Sequence, residues 1–316
     1  MNVLLQVGAL FFLMAIGYLL GIKKLIEGNA IRGMSNLIVK ATLPALVLMS
    51  LQKPFSADLL AQSLQTLLVA SLFYIAIIGL SLLVSRALYP NNKTGAPGAA
   101  AFSLAFSNAA FVGFPVITSI MGEGSLFLAS IHNILFNVLA FSVGILMIAA
   151  DRTGGAASAE SRSAARIPLK RIFNINVVSA LLGFLFFFFS IAIPQAIALP
   201  LTMLGSMTTP LAMIVTGAML SRTPLGAVMG DWRLYAVSAV RLAAWPLLTA
   251  IALRAAGVSG ELYLISIIIA GMPAASNTSL LAEVYGGDSK TASSIVFMTT
   301  LLSVITIPVM GVLLSR

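Results

Sequence analysis

The chain has 316 residues, 59% of them hydrophobic and 9% charged, where a soluble globular domain carries roughly 25% charged residues; this composition excludes a soluble enzyme. Eighteen Lys and Arg against nine Asp and Glu leave a net charge of +9, but a mean hydropathy of +1.06 leaves no polar surface for nucleic acid and ties the basic excess to membrane topology. With no Cys and a single His, disulfides, thiolate metal sites and multi-His metal sites are excluded, and no cofactor or metal is expected.

A membrane-crossing helix needs about 20 mostly apolar residues. Ten such runs are predicted, near residues 3–22, 33–51, 62–86, 97–121, 125–150, 174–193, 199–221, 233–256, 262–285 and 291–314. The first, VLLQVGALFFLMAIGYLLGI, lacks a basic segment before it and a small-residue cleavage site after it, so it reads as a span and not as a secretion signal. Its Gly17 and Gly21 form a Gly-x-x-x-Gly pair, read as ordinary close packing.

The basic residues sort by loop. The loops after odd-numbered spans hold thirteen of them: Lys23, Lys24, Arg32, Arg86, Lys93, Arg152, Arg162, Arg166, Lys170, Arg171, Arg222, Arg233 and Lys290. The even loops and the C-terminal end hold three, Lys53, Arg254 and Arg316, while Lys40 and Arg241 fall inside spans. Because positive residues gather on the cytoplasmic side, a multi-pass plasma (inner) membrane protein with both termini extracytoplasmic is predicted.

One long polar stretch, Asp151–Arg171 (DRTGGAASAESRSAARIPLKR), reads as a flexible cytoplasmic linker between residues 1–150 and 172–316. The two halves echo each other: Pro44 answers Pro210 at an offset of 166, SNAAFVGFP in span four answers GMPAASNTS in span nine, and Gly122-Glu123-Gly124 answers Gly286-Gly287-Asp288. Five spans per half is an odd number, so the second half sits upside down relative to the first. The expected architecture is an all-α membrane protein of two inverted five-helix repeats, with substrate near the midplane where interrupted helices meet.

Spans four and nine carry those interruptions. Ser107, Asn108, Gly113 and Pro115 lie within the first, and Gly271, Pro273, Ser276, Asn277, Thr278 and Ser279 within the second. Gly and Pro undermine a helix locally, and backbone left unpaired in hydrocarbon persists only where protein or a wet cavity surrounds it. Half-helices are expected to restart near residues 116 and 278, presenting N-termini that attract anions. Plain kinking of membrane helices is the bland alternative for each break.

NAAFVGFP and GMPAASNTSLLAEVYGGD resemble the two crossover segments of the auxin efflux carrier family, and the five-plus-five layout extends that resemblance over the whole chain. The resemblance implies a secondary transporter of organic anions, similar in fold to bile acid:sodium symporters and Na⁺/H⁺ antiporters. Spans three to five and eight to ten would form a mobile domain with crossed spans four and nine, working by an elevator-type motion. Spans one, two, six and seven would form a scaffold through which a homodimer assembles. It also implies a carboxylate site lined by Asn108, Pro115, Pro273 and Asn277. The short linker is more like bacterial members proposed to carry dicarboxylates such as malonate than like plant exporters with a long hydrophilic loop.

Other polar groups inside spans are candidates by default. Arg241 reads as a residue near the anion path or as a structural partner of helix-end carbonyls. Asn133 and Asn137 share a face of span five and read as substrate contacts or as interhelical packing. His132 is a candidate for proton coupling or an ordinary packing residue, and Glu283 is a cation ligand or a helix-end acid. An intramembrane enzyme lacks a base with an orienting partner. An anion channel or a transporter-like sensor remains an alternative use of the same architecture.

Overall fold

The computed structural model describes residues 3–90, 96–150, 174–222 and 228–314; the predicted linker lies outside them. The helices are α1 (Val3–Ile22), α2 (Gly28–Ser50), α3 (Ala57–Leu88), α4 (Ala96–Ala105), α5 (Ala109–Met121), α6 (Glu123–Ala149), α7 (Ile175–Phe188), α8 (Gln195–Leu220), α9 (Trp232–Ala255), α10 (Gly260–Ala270), α11 (Thr278–Tyr285) and α12 (Ser289–Leu314). Seven of these, α1, α2, α3, α6, α8, α9 and α12, are long and apolar enough to cross a membrane, and α4, α5, α7 and α10 are shorter apolar helices. No β-strand occurs among the described residues, only one isolated bridge.

Boundaries differ from the predicted runs where local capping decides them. Helix α3 starts at Ala57 instead of near 62 because the Ser56 hydroxyl accepts the Leu59 amide and Asp58 favours the first turn. Helix α7 stops at Phe188 instead of near 193, the chain turning through Ser190 at a φ of 54°.

Three of the prolines inside the helices follow widened turns. Three π-turns, Ile38–Thr42, Ala109–Gly113 and Val240–Ala244, are each followed two residues later by a proline: Pro44, Pro115 and Pro246. Proline offers no N–H to the carbonyl four residues back and its ring clashes with it; the wider turn moves that carbonyl aside. The expected break at Gly113–Pro115 is therefore corrected: both residues lie inside α5, and the interruption falls at 106–108.

Polarity runs inside out relative to a soluble protein. Leu64, Leu68, Leu72, Ile75 and Leu83 make an exposed stripe on α3, while its Ser63, Thr66, Tyr74, Ser81 and Ser85 are buried. Several such hydroxyls bond to a carbonyl one turn back, as Ser63 does to Leu59 at 2.6 Å and Thr66 to Gln62 at 2.7 Å, which hides polar atoms without a partner helix.

Several helix pairs pack closely, and α1 also touches α5 and α12. Helix α1 lies against the second half of α8, with Gly17 on the Ile214 carbonyl and Gly217 on the Met14 carbonyl; a Cβ on either glycine would collide with that backbone. Helix α7 and the first half of α8 pack on the second half of α2. Elsewhere α3 holds α4 and α6, α9 holds α10 and α12, and α11 lies on α12. Tyr74, Phe102, Phe106, Trp245, Leu281 and Tyr285 knit α3, α4, α9 and α11, with the residues between α4 and α5, into one apolar cluster.

Candidate crossover site

The two interrupted segments meet. Between α4 and α5, and between α10 and α11, Ser107 and Ala274 form an antiparallel bridge. The Asn108 amide donates to the Pro273 carbonyl at 2.8 Å, and the Ala275 amide donates to the Phe106 carbonyl at 3.0 Å. Backbone groups that a helix would have paired are thus paired across the crossing, as a nonaqueous interior demands. The Ala274 amide, facing away, donates to the Thr299 hydroxyl of α12 at 3.2 Å.

Leu104 and Met272 each offer a carbonyl at the C-terminal edge of a half-helix, where no intrahelical partner remains. Both are met from α9. Arg241, 1% exposed, donates from Nε to the Met272 carbonyl at 3.0 Å and from Nη1 to the Leu104 carbonyl at 2.9 Å. One turn further on, the Trp245 indole N–H donates to the same Leu104 carbonyl at 2.9 Å. Each helix C-terminus carries roughly half a negative charge, so a buried guanidinium bridging two of them is compensated without any carboxylate.

The opposite ends are the N-termini of α5 and α11. Neither the Ser279 nor the Leu280 amide in the first turn of α11 has a backbone acceptor among the described residues. Asn108 is 4% exposed, and its side-chain Nδ2 has no partner among the described residues. Asn108, Ser276 and Ser279 line a cavity of about 490 Å³ whose wall also includes Gly28, Arg32, Arg222 and Glu283. Arg32, Arg222 and Glu283 are exposed, so the cavity runs from a charged mouth to the buried Asn108. The mouth lies at the start of α2. Beyond the far end of that 23-residue helix, the Lys53 ammonium donates to the Gly124 carbonyl at 3.0 Å and sits 5.3 Å from the Phe127 ring. The Ser50 and Ser130 hydroxyls are 3.0 Å apart, and Phe127 meets Phe187 edge-on at 5.0 Å.

Of the sequence candidates, Asn108, Ser276 and Glu283 border the cavity, and Pro115, Asn133, Asn137, Arg241, Pro273, Asn277 and Thr278 do not. Pro273 serves through its carbonyl at the crossing. Gly113 packs beside it, a Cβ there reaching ordinary contact with Met272 at 3.4 Å. Asn277 precedes α11 half-buried without a side-chain cap bond, and the Thr278 hydroxyl donates to the Ala275 carbonyl at 2.5 Å. The Asn137 amide group donates to the Asn133 carbonyl at 2.9 Å, and its Oδ1 accepts from Asn174 at 3.3 Å. His132 is buried beside Phe73 and Tyr74, ring centroids 5.9 and 5.5 Å away, with both nitrogens unpartnered among the described residues. Lys40 points outward. Ser279, named from sequence as part of the second interruption, also lines the cavity, whereas Arg32 and Arg222 in the cavity, and Trp245 and Thr299 at the crossing, were not singled out as site residues. The two arginines were visible in the sequence only as topology markers.

Apolar outer faces, inward-turned polar groups and seven helices long and apolar enough to cross a membrane define a multi-pass membrane protein. The chain belongs to the membrane transport protein family, whose model matches residues 2–311. It is 25% identical over 303 residues to an "Uncharacterized transporter" of Methanothermobacter thermautotrophicus, covering 96% of this chain and 95% of that protein. It is also 25% identical over 305 residues to a "Putative malonate transporter" of Rhizobium meliloti, covering 94% of this chain and 91% of that protein.

Proposed function

We propose that the protein is a secondary carrier of a small organic anion, a mono- or dicarboxylate such as malonate, whose carboxylate is held where α4–α5 and α10–α11 cross. The unpartnered Nδ2 of Asn108 carries this reading: a donor 4% exposed, beside free amides at the start of α11, is matched by a carboxylate and by few other solutes. In this reading α4–α5 and α10–α11 each count as one interrupted span and α7 as another, giving ten crossings. Two features support an inverted repeat. Helix α1 packs on α8 as α7 packs on α2, and the helices are irregular just before Pro44 and just before Pro210.

The scaffold would be α1, α2, α7 and α8, joined to a second copy as a homodimer, and the remaining helices would move against it. The charge sorting makes the cavity mouth cytoplasmic, so the conformation described is open to the cytoplasm and latched at Lys53–Gly124. The test is exchange of labelled malonate, succinate and acetate in proteoliposomes. Asn108→Ala removes a hydrogen bond to a charged group worth about 1.5–3 kcal/mol, a loss of about 10- to 150-fold in affinity, with thermal stability retained. Wild-type exchange in Asn108→Ala would overturn the site, and ion currents at channel rates would favour a pore instead.

A further inference from the structure

We propose that Arg32 and Arg222 form an anion-capture site that works from one side of the membrane only. This inference rests on the carrier reading above and adds a sidedness to it.

Both arginines line the cavity that ends at Asn108. Among the described residues, neither guanidinium has an ion pair or a protein hydrogen-bond acceptor, although Glu283 stands in the same wall. Two guanidiniums against one carboxylate leave the cavity wall with a net charge of +1. A surface arginine kept only for topology has no need to lie there. The backbone, moreover, makes room for it: Gly28 lies directly beneath the Arg222 guanidinium, and a Cβ at Gly28 would collide with its Nη1. Arg32 follows Gly28 by four residues on the same face of α2, which aims both cations at one space.

The two cations and the polar end of the cavity belong to different sets of helices. Arg32 and Arg222 stand on α2 and just after α8, which pack on each other, whereas Asn108, Ser276 and Ser279 belong to the crossing segments. Any movement that opens the crossing toward the Lys53 end therefore leaves both arginines behind. An anion arriving through the charged mouth is concentrated by their field, and one arriving from the other face is not. Fields of this kind raise local ligand concentration and on-rates by roughly 10- to 1,000-fold, and salt weakens them.

The experiment measures malonate, succinate and acetate exchange from each face separately, in inside-out and right-side-out membrane vesicles, for the wild type, for R32Q/R222Q and for the charge-conserving R32K/R222K. The expected result is a rise of about tenfold in KM from the arginine face in R32Q/R222Q, with kcat unchanged and the salt dependence of that KM flattened. KM from the opposite face stays within about twofold, and R32K/R222K restores most of the loss. Equal KM changes on both faces, or none, with wild-type exchange intact, overturn the capture site alone. Failure of the wild type to exchange any of the three acids overturns the carrier reading and this inference with it.

Discussion

Arg241 is the most informative residue to replace, because two opposing effects are separable there. Arg241→Met leaves the Met272 carbonyl without its side-chain donor, while Leu104 keeps the Trp245 indole at 2.9 Å. A buried carbonyl stripped of its partner costs about 1–3 kcal/mol. Against this, removing a buried charge relieves a desolvation penalty, and whole buried ion pairs are often replaced by apolar residues without loss. Here the second partner is not a side chain that can be removed with the first. It is the pair of α4 and α10 C-termini, about −0.5 each, which stay in place when the guanidinium goes.

The uncompensated carbonyls win, and Arg241→Met is expected to be less stable by about 1–3 kcal/mol, read as a lower melting temperature in detergent together with slowed exchange. Arg241→Lys keeps the charge but cannot fork to two carbonyls and falls between. Trp245→Phe alone costs about 1 kcal/mol, since Leu104 retains Arg241. The double variant strips Leu104 completely and is expected to cost more than the sum of the singles. Strict additivity, or an Arg241→Met protein as stable and fast as wild type, would refute the account of the crossing as held from α9.

Three further outcomes are expected. Gly217→Val drives side-chain atoms into the Met14 carbonyl and should cost at least about 1–3 kcal/mol or abolish folded protein, whereas Gly8→Ala, with open space around it, should change the melting point by no more than an ordinary surface substitution. Lys53→Ala removes the ammonium from the Gly124 carbonyl; at about 1 kcal/mol this shifts the population opened at that end about fivefold, read as faster thiol labelling of a cysteine introduced at Ser130 in this cysteine-free chain. Asn137→Ala loses its bonds to the Asn133 carbonyl and from Asn174 and should lower stability by about 1 kcal/mol while leaving KM unchanged; a raised KM would return Asn137 to the substrate site.

Local chemistry in the sequence located both crossing segments, because small, polar and helix-breaking residues in an apolar run have no other economical use at membrane depth. Asn108 was legible for that reason. The position of the first interruption was misjudged by several residues, since sequence does not reveal that a π-turn at Ala109–Gly113 carries the helix through Pro115. Trp245 and Thr299 were invisible. Each serves a backbone group far away in the chain, Trp245 reaching a carbonyl 141 residues off and Thr299 an amide 25 residues off, and neither leaves a periodic or compositional trace. Arg241 was legible as exceptional but not as to its use. A buried cation points equally to a ligand or to helix ends until the acceptors around it are known.

The four helix ends at the crossing explain why so few acids are needed. Two C-termini, about −0.5 each, are answered by the single positive charge of Arg241. The N-termini of α5 and α11, about +0.5 each, have no such answer among the described residues, and together they match one carboxylate. A site balanced in this way discriminates by charge before shape. A primary amide in place of the proposed carboxylate keeps nearly the same size but brings N–H donors to a place already rich in donors, Asn108 Nδ2 and the α11 amides among them. Losing one hydrogen bond to a charged acceptor and burying an unpaired donor each cost about 1–3 kcal/mol, so the monoamide of an exchanged dicarboxylate should compete at least about 30-fold more weakly than the acid. If the monoamide competes as well as the acid, the free helix ends are not what receives the substrate.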